Sequence, residues 1–140
     1  IDIDGDGSFN HTLAELKTVV EYNLPIKIAV INDNNFSMVR AWEKLFFAER
    51  YTATHLPKNP DYTALAESFG IKTIKCDKKE NLENDIENFL SSKEAILCEF
   101  KVESDLCLPL VSPGAALDDI ILFEDKKFIK DLSNFDGPPG

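Results

Sequence analysis

At 140 residues, 44% of them hydrophobic and 29% charged, the chain has the make-up of one globular domain with a real core and little room for a second. Fifteen basic side chains face twenty-five acidic ones, and the formal charge of −10 argues against nucleic acid and anionic membranes as general partners; no apolar run nears the ~20 residues of a bilayer span. Three cysteines without C-x-x-C spacing, Cys76, Cys98 and Cys107, argue against a disulfide framework or zinc site and for a reducing setting, the cytoplasm or, in a eukaryote, an organelle.

Residues Ile1 to Asp4 read as a short apolar-acidic strand running into a glycine turn, Gly5-Asp6-Gly7. No initiator Met or signal peptide precedes it, so the chain is expected to be a piece of a longer protein. Ser8 is the predicted N-cap of a helix over residues 11–22, in which Leu13, Leu16, Val19 and Val20 share a face. Asn23-Leu24-Pro25 stops it. Ile26 to Ile31 is a nearly unbroken apolar, β-branched run, the mark of a strand buried on both faces. A polar run, Asn32-Asp33-Asn34-Asn35, then opens a second helix with Val39, Trp42, Leu45 and Phe46 on one side.

Residues 52–60 form a loop with two prolines, after which Asp61 caps a short helix. Tyr62, Leu65 and Phe69 point inward there, and Gly70 ends it. A third strand over 71–75, an amphipathic helix marked by Leu82, Ile86, Phe89 and Leu90, and a fourth strand over 95–102 follow. The order β-α-β-α-α-β-α-β predicts an α/β fold, a parallel sheet with helices on both faces. Past Ser104 the alternation stops; residues 108–121 read as a segment packed on the domain, and 134–140 as frayed.

Ligands of parallel α/β sheets bind beyond the carboxyl ends of the strands, and two loops there are chemically loaded. Gly5-Asp6-Gly7-Ser8 offers a carboxylate, two glycines and a hydroxyl at a helix start, which suits a phosphate bridged to a divalent cation. Asn32 to Ser37 offers a row of oxygen-bearing side chains ahead of another helix, and Mg²⁺ takes few carboxylates plus phosphate oxygens. Taken singly, each loop reads as a structural turn; together, at adjacent strand ends, they favour a site. Asp2, Asp4, Asp6 and Gly7 also mimic the opening of an EF-hand, but Leu13 stands where its bidentate Glu belongs, and no helix precedes the motif.

These residues resemble a known family. Gly5-Asp6-Gly7-Ser8, with the Asn32-Asp33 pair placed 27 residues after Asp6, resembles the G-D-G … N-N cofactor signature of thiamine diphosphate enzymes. The wider text is similar to acetolactate (acetohydroxyacid) synthase catalytic subunits: Ile1 to Phe9, Glu15-Leu16, Asn23-Leu24-Pro25, Met38-Val39 with Trp42-Glu43, and Pro113 to Asp119. The similarity runs to about Leu122, giving a pyrophosphate-binding domain over 1–122 and a C-terminal tail over 123–140.

The resemblance implies Asp6 as a side-chain ligand of Mg²⁺ and Asn35 as a backbone-carbonyl ligand, with Asp33 at the position of the second metal-binding Asn. It implies that Gly5, Gly7, Ser8, Phe36, Ser37 and Met38 line the thiamine diphosphate, and that Met38 and Trp42 face the substrate channel; plain packing is the competing reading of Trp42. It further implies decarboxylation of pyruvate, transfer of the two-carbon unit to a second 2-keto acid, a homodimer or homotetramer, and room for FAD in the full-length protein. The catalytic Glu of the family belongs to a pyrimidine-binding domain, usually of a neighbouring subunit, that this chain does not contain. His11 and His55 match nothing catalytic. A simple 2-keto acid decarboxylase, a non-catalytic interaction module (favoured by Asp33) and a small Ca²⁺-binding domain are the alternatives.

Overall fold

The computed structural model describes residues 1–106 and 108–122. In chain order the elements are β1 (Asp2–Gly5), α1 (Asp6–Phe9), α2 (Leu16–Glu21), β2 (Lys27–Asn32), α3 (Ser37–Phe46), α4 (Tyr62–Ser68), β3 (Lys72–Cys76), α5 (Leu82–Ser91), β4 (Ile96–Lys101), β5 (Leu110–Val111) and β6 (Ile120–Ile121). They fall into two compact units: residues 1–35 with 56–103, and residues 36–55 with the described residues from Ser104 on. Cys107 and the expected tail at 123–140 lie outside the described residues.

The first unit is a four-stranded parallel sheet in the order β1-β2-β4-β3. Alternation along the strands sends Ile28, Val30 and Leu97 to one face, against Phe9, Leu16, Val19, Tyr62 and Ala66 of α1, α2 and α4. Ala29, Ile96, Cys98 and Cys76 go to the other, against Phe89 of α5. Helices thus cover both faces, and the apolar run read as a doubly buried strand is buried at Ile28, Ala29 and Val30, while Ile31 stays 37% exposed. The rings of Phe9 and Tyr62 meet edge to face, 5.6 Å between centroids, a favoured aromatic geometry.

Several local expectations need correction. In place of the single helix predicted over 11–22 stand a 3-10 turn at Leu13–Glu15 and the short α2, and the one-turn α1 precedes them. Ser8 therefore lies inside α1 rather than at its cap; Gly5 takes the cap position, and the Ser8 hydroxyl bonds the Asp4 carboxylate instead. Val20 stays exposed. In α5 only Phe89 of the predicted stripe is buried, and Leu82, Ile86 and Leu90 remain open. Asp2 and Asp4 pair with Ile28 and Val30 in extended strand, which no EF-hand loop permits.

The second unit holds α3, which buries Ala41, Leu45 and Phe46 while Val39 stays 54% exposed. Glu43 ties the following segment back to the helix, accepting the Thr52 N–H at 2.8 Å and the Thr54 hydroxyl at 2.6 Å. Within residues read as an irregular packed segment, β5 and β6 pair antiparallel. Among the described residues, no helix is long and apolar enough to cross a membrane.

Asp61 caps α4 as expected: its Oδ1 accepts the Thr63 N–H at 3.1 Å, the Ala64 N–H at 3.0 Å and the Thr63 hydroxyl at 2.6 Å. The Thr63 hydroxyl first, and the Ala64 N–H after it, hold this carboxyl below its ordinary range. A depressed acid stabilises the fold above the ordinary carboxylate range and loses that contribution as the pH falls through its folded value. Asp61→Ala is expected to cost ~1 kcal/mol at neutral pH in urea unfolding, and the gap should close on acidification below pH ~4.

Candidate metal and cofactor site

β1 and β2 run parallel with Gly5 opposite Ile31, so the chain leaves both strands at the same edge of the sheet. Asp6 follows Gly5 directly and is only 1% exposed. Its Oδ2 accepts the Asn59 side-chain amide at 2.5 Å; Asn59 accepts from Asn10 at 3.0 Å; Asn10 accepts the Tyr62 hydroxyl at 2.9 Å. That hydroxyl also stands 3.2 Å from the Asp6 carbonyl. The loop closes on itself: Asp6 side chain, Asn59, Asn10, Tyr62, Asp6 backbone. Burial, and then the Asp6 charge, push the Tyr62 phenol up to about 12, so it serves here as a neutral donor.

The second loop folds through its own side chains. Asn34 adopts a left-handed φ of 59°, which Asn tolerates better than most residues. Its N–H donates to Asn32 Oδ1 at 3.0 Å, and its carbonyl accepts the Leu56 N–H at 2.7 Å. Asp33 Oδ1 accepts the Asn35 N–H at 3.0 Å, and the Asp33 carbonyl accepts the Asn35 side-chain amide at 2.6 Å. This is Asx-turn geometry.

The two loops meet at Asp6 and Asp33. Burial first, with the Asp33 charge adding to it, raises the Asp6 carboxyl above its ordinary range, against the Asn59 bond and the N–H groups of Gly7 and Asn34, which lower it. A buried carboxylate pressed by a second one is a place where a cation relieves repulsion. Among the described residues no three His, Cys, Asp or Glu side chains gather around one point. The donors the two loops do offer, carboxylates and carbonyls, are oxygen ligands of the kind hard cations take.

The other predicted residues stand as follows. Gly5 has φ −81°, and a Cβ there would meet only Ser8 Oγ at 3.9 Å, so neither backbone strain nor crowding within the unit requires glycine. Gly7 is buried in α1 and Ser8 is exposed. Phe36, Ser37, Met38 and Trp42 belong to the second unit. The Phe36 N–H, expected to face a diphosphate, is engaged by the Thr54 carbonyl at 2.9 Å. Ser37 opens α3, Met38 is 62% exposed, and Trp42 is half-buried with its ring edge-on to Phe46 at 5.5 Å. Neither His11 nor His55 is buried. The sequence reading missed Asn10 and Asn59 altogether, and took Tyr62 as core only.

Residues 1–100 match the family described as thiamine pyrophosphate enzyme, C-terminal TPP binding domain. The chain belongs to this family. It is 42% identical over 125 residues to the mitochondrial acetolactate synthase catalytic subunit of Saccharomyces cerevisiae, covering 89% of this chain and 18% of that protein. It is 38% identical over 120 residues to the acetolactate synthase isozyme 2 large subunit of Escherichia coli, covering 85% and 22%. Against the probable acetolactate synthase large subunit of Methanocaldococcus jannaschii it is 31% identical over 121 residues, 86% and 20%. The chain thus spans about a fifth of the length of these relatives.

The strain at Asp6 has a measurable sign. A carboxyl whose folded pKa is raised favours the folded state while protonated, and that contribution is lost as the pH climbs through the ordinary range to the folded value. In metal-free protein, wild-type stability should therefore fall relative to Asp6→Asn as the pH rises from ~4. Urea midpoints of the two proteins across that range check it, and parallel profiles would remove the strained-carboxylate account.

Proposed function

We propose that this chain anchors the diphosphate of thiamine diphosphate through Mg²⁺ held by Asp6, Asp33 and the Asn35 carbonyl, as one wall of the active site of an acetolactate synthase-type enzyme. The buried Asp6 carboxylate, at the carboxyl end of β1 beside the parallel β2, is the observation that carries the reading, and burial first, with the Asp33 charge adding to it, raises that carboxyl. Mg²⁺ is commonly held by one or two carboxylates together with phosphate oxygens, and the family supplies the diphosphate. Gly5, which nothing within its unit requires, leaves the backbone open to a ligand's approach. Gly7 and Ser8 on the first loop, and Ser37 and Met38 at the start of α3, are the remaining contacts proposed for the cofactor.

When bound, thiamine diphosphate supplies the carbanion chemistry at the keto-acid carbon. The share of this chain is to neutralise and fix the diphosphate so that the reacting end is held in one orientation. The relatives are named as acetolactate synthases, and on this reading the substrates are pyruvate and a second 2-keto acid. A pyrimidine-binding domain from a neighbouring subunit completes the site with its Glu, in a homo-oligomer that has room for FAD. Met38 and Trp42 line the substrate side in this reading, and the half-burial of Trp42 leaves part of its ring for that purpose.

Titration calorimetry on the full-length protein tests the anchor. Asp6→Ala should weaken thiamine diphosphate at least tenfold, about 1.4 kcal/mol, at sub-saturating Mg²⁺. Asp33→Asn should weaken Mg²⁺ while tightening the cofactor at saturating Mg²⁺, because a negative charge near the phosphates is removed; flat affinities for both would end the metal role of Asp33. With pyruvate alone, acetolactate is the expected product. Acetaldehyde would reassign the chain to a simple decarboxylase, and no cofactor-dependent thermal shift would point to an interaction module.

Trp42→Leu separates channel from packing. A channel residue shifts the product ratio between competing pyruvate and 2-ketobutyrate with little change in unfolding midpoint. A core Trp costs ~3 kcal/mol or more when truncated and leaves that ratio alone.

A further inference from the structure

β4 carries a carboxylate among apolar neighbours. Glu99 is 2% exposed, follows the fully buried Leu97 and Cys98, and pairs across the sheet with the fully buried Val30. Its Oε1 accepts the Asn32 side-chain amide at 2.7 Å and lies 2.9 Å from Lys101 Nζ. Its Oε2 has no hydrogen-bond partner among the described residues. Burying a carboxylate with one oxygen unsatisfied is unfavourable, and an apolar side chain would fill the same place on the sheet without that penalty.

What the carboxylate does is visible one contact further on. An ionised carboxylate only accepts hydrogen bonds, so the Asn32 amide can meet it only with its NH₂. With Nδ2 so committed, Oδ1 of the same buried side chain must face the loop, where it accepts the Asn34 N–H at 3.0 Å. The same N–H is among the groups that lower the Asp6 carboxyl. The chain of contacts therefore runs from Glu99 through Asn32 to Asn34. With an acceptor removed at position 99, either orientation of the Asn32 amide becomes acceptable, and one of them presents NH₂ to the Asn34 N–H.

Building on the proposed Mg²⁺ site, we infer that Glu99 is its positioning residue: it sets the orientation of the Asn32 amide and thereby the fold of the Asn32–Asn35 loop that presents Asp33 and Asn35. Its buried, half-satisfied charge is kept for orientation, because a sheet position alone does not need it.

The test uses the full-length protein in three variants. Glu99→Met fills the space without an acceptor and should raise the Mg²⁺ dissociation constant at least tenfold by calorimetry, while Glu99→Gln, which keeps an acceptor, should stay within about threefold of wild type. Asn32→Ala should lose as much as Glu99→Met, and combining them should add nothing further. In metal-free protein, hydrogen exchange at the Asn34 amide should quicken in Glu99→Met and not in Glu99→Gln. A Glu99→Met protein with wild-type Mg²⁺ affinity and wild-type Asn34 exchange overturns the inference. Should Glu99→Met fail to fold, Asn32→Ala cuts the same link from the other side, and its Asn34 exchange decides. If the wild-type protein binds no Mg²⁺, the proposed function falls, and the exchange measurements alone judge the role of Glu99.

Discussion

The pairing of β1 with β2, from Asp2 opposite Ile28 to Gly5 opposite Ile31, sets the demands on the rest of the first unit. Parallel neighbours end at one edge, so the residues that follow them leave the sheet together. Asp6 emerges there into a buried position, and a buried carboxylate needs donors. They come from distant parts of the chain: Asn59 from the loop before α4, the Asn34 N–H from the loop after β2, and, behind Asn59, Asn10 and Tyr62. Tyr62 joins this polar network to the core. Its ring packs on Phe9 while its hydroxyl lies in the network, so the same apolar packing that stabilises the sheet fixes where Asp6 stands.

The fold was legible where residue type and spacing act locally. The apolar run Ile28-Ala29-Val30, the Asp61 cap and Gly70 with φ +83° behave as their chemistry dictates, although Ile31 at the end of that run is exposed. So do the two loops, because their oxygen-bearing residues are consecutive. Periodicity marks an apolar stripe without saying what covers it, and Leu82, Ile86 and Leu90 of the α5 stripe are exposed. Ser8 misleads because a hydroxyl before an amphipathic stretch looks like a cap, whereas here the cap is Gly5, three residues earlier, directly off the strand.

What escaped the sequence is the set of partners behind the loops. Asn59 lies 53 positions from Asp6, and the Asn32–Glu99 bond spans 67; nothing local in the text relates such pairs. Glu99 did leave a trace. A single acid inside the run Ile96-Leu97-Cys98-Glu99-Phe100 breaks a pattern that is otherwise that of a buried strand, and acids are almost never fully buried without a partner. Read that way, it asks for a donor at the same depth in a neighbouring strand, and Asn32 at the end of β2 is of the right type.

The sign of the whole chain bears on how a diphosphate could be held. A body with a formal charge of −10 repels a multiply charged anion at long range, and sites for such anions often use Lys or Arg. Neither occurs in Gly5–Ser8 or in Asn32–Ser37. The loops instead each carry a carboxylate, Asp6 and Asp33, whose charges act on one another; on the proposed reading a divalent cation reverses the repulsion they add. On the proposed reading, acidic residues recruit the cation, and the cation recruits the phosphates, with backbone N–H groups supplying the remainder. The strain stored at Asp6 follows from the same logic, since a carboxylate fully content with protein donors would have less to gain from the metal. Asn59, Gly7 and Asn34 lower the Asp6 carboxyl without cancelling the effect of its burial, and on the proposed reading that residual penalty favours the metal-bound state.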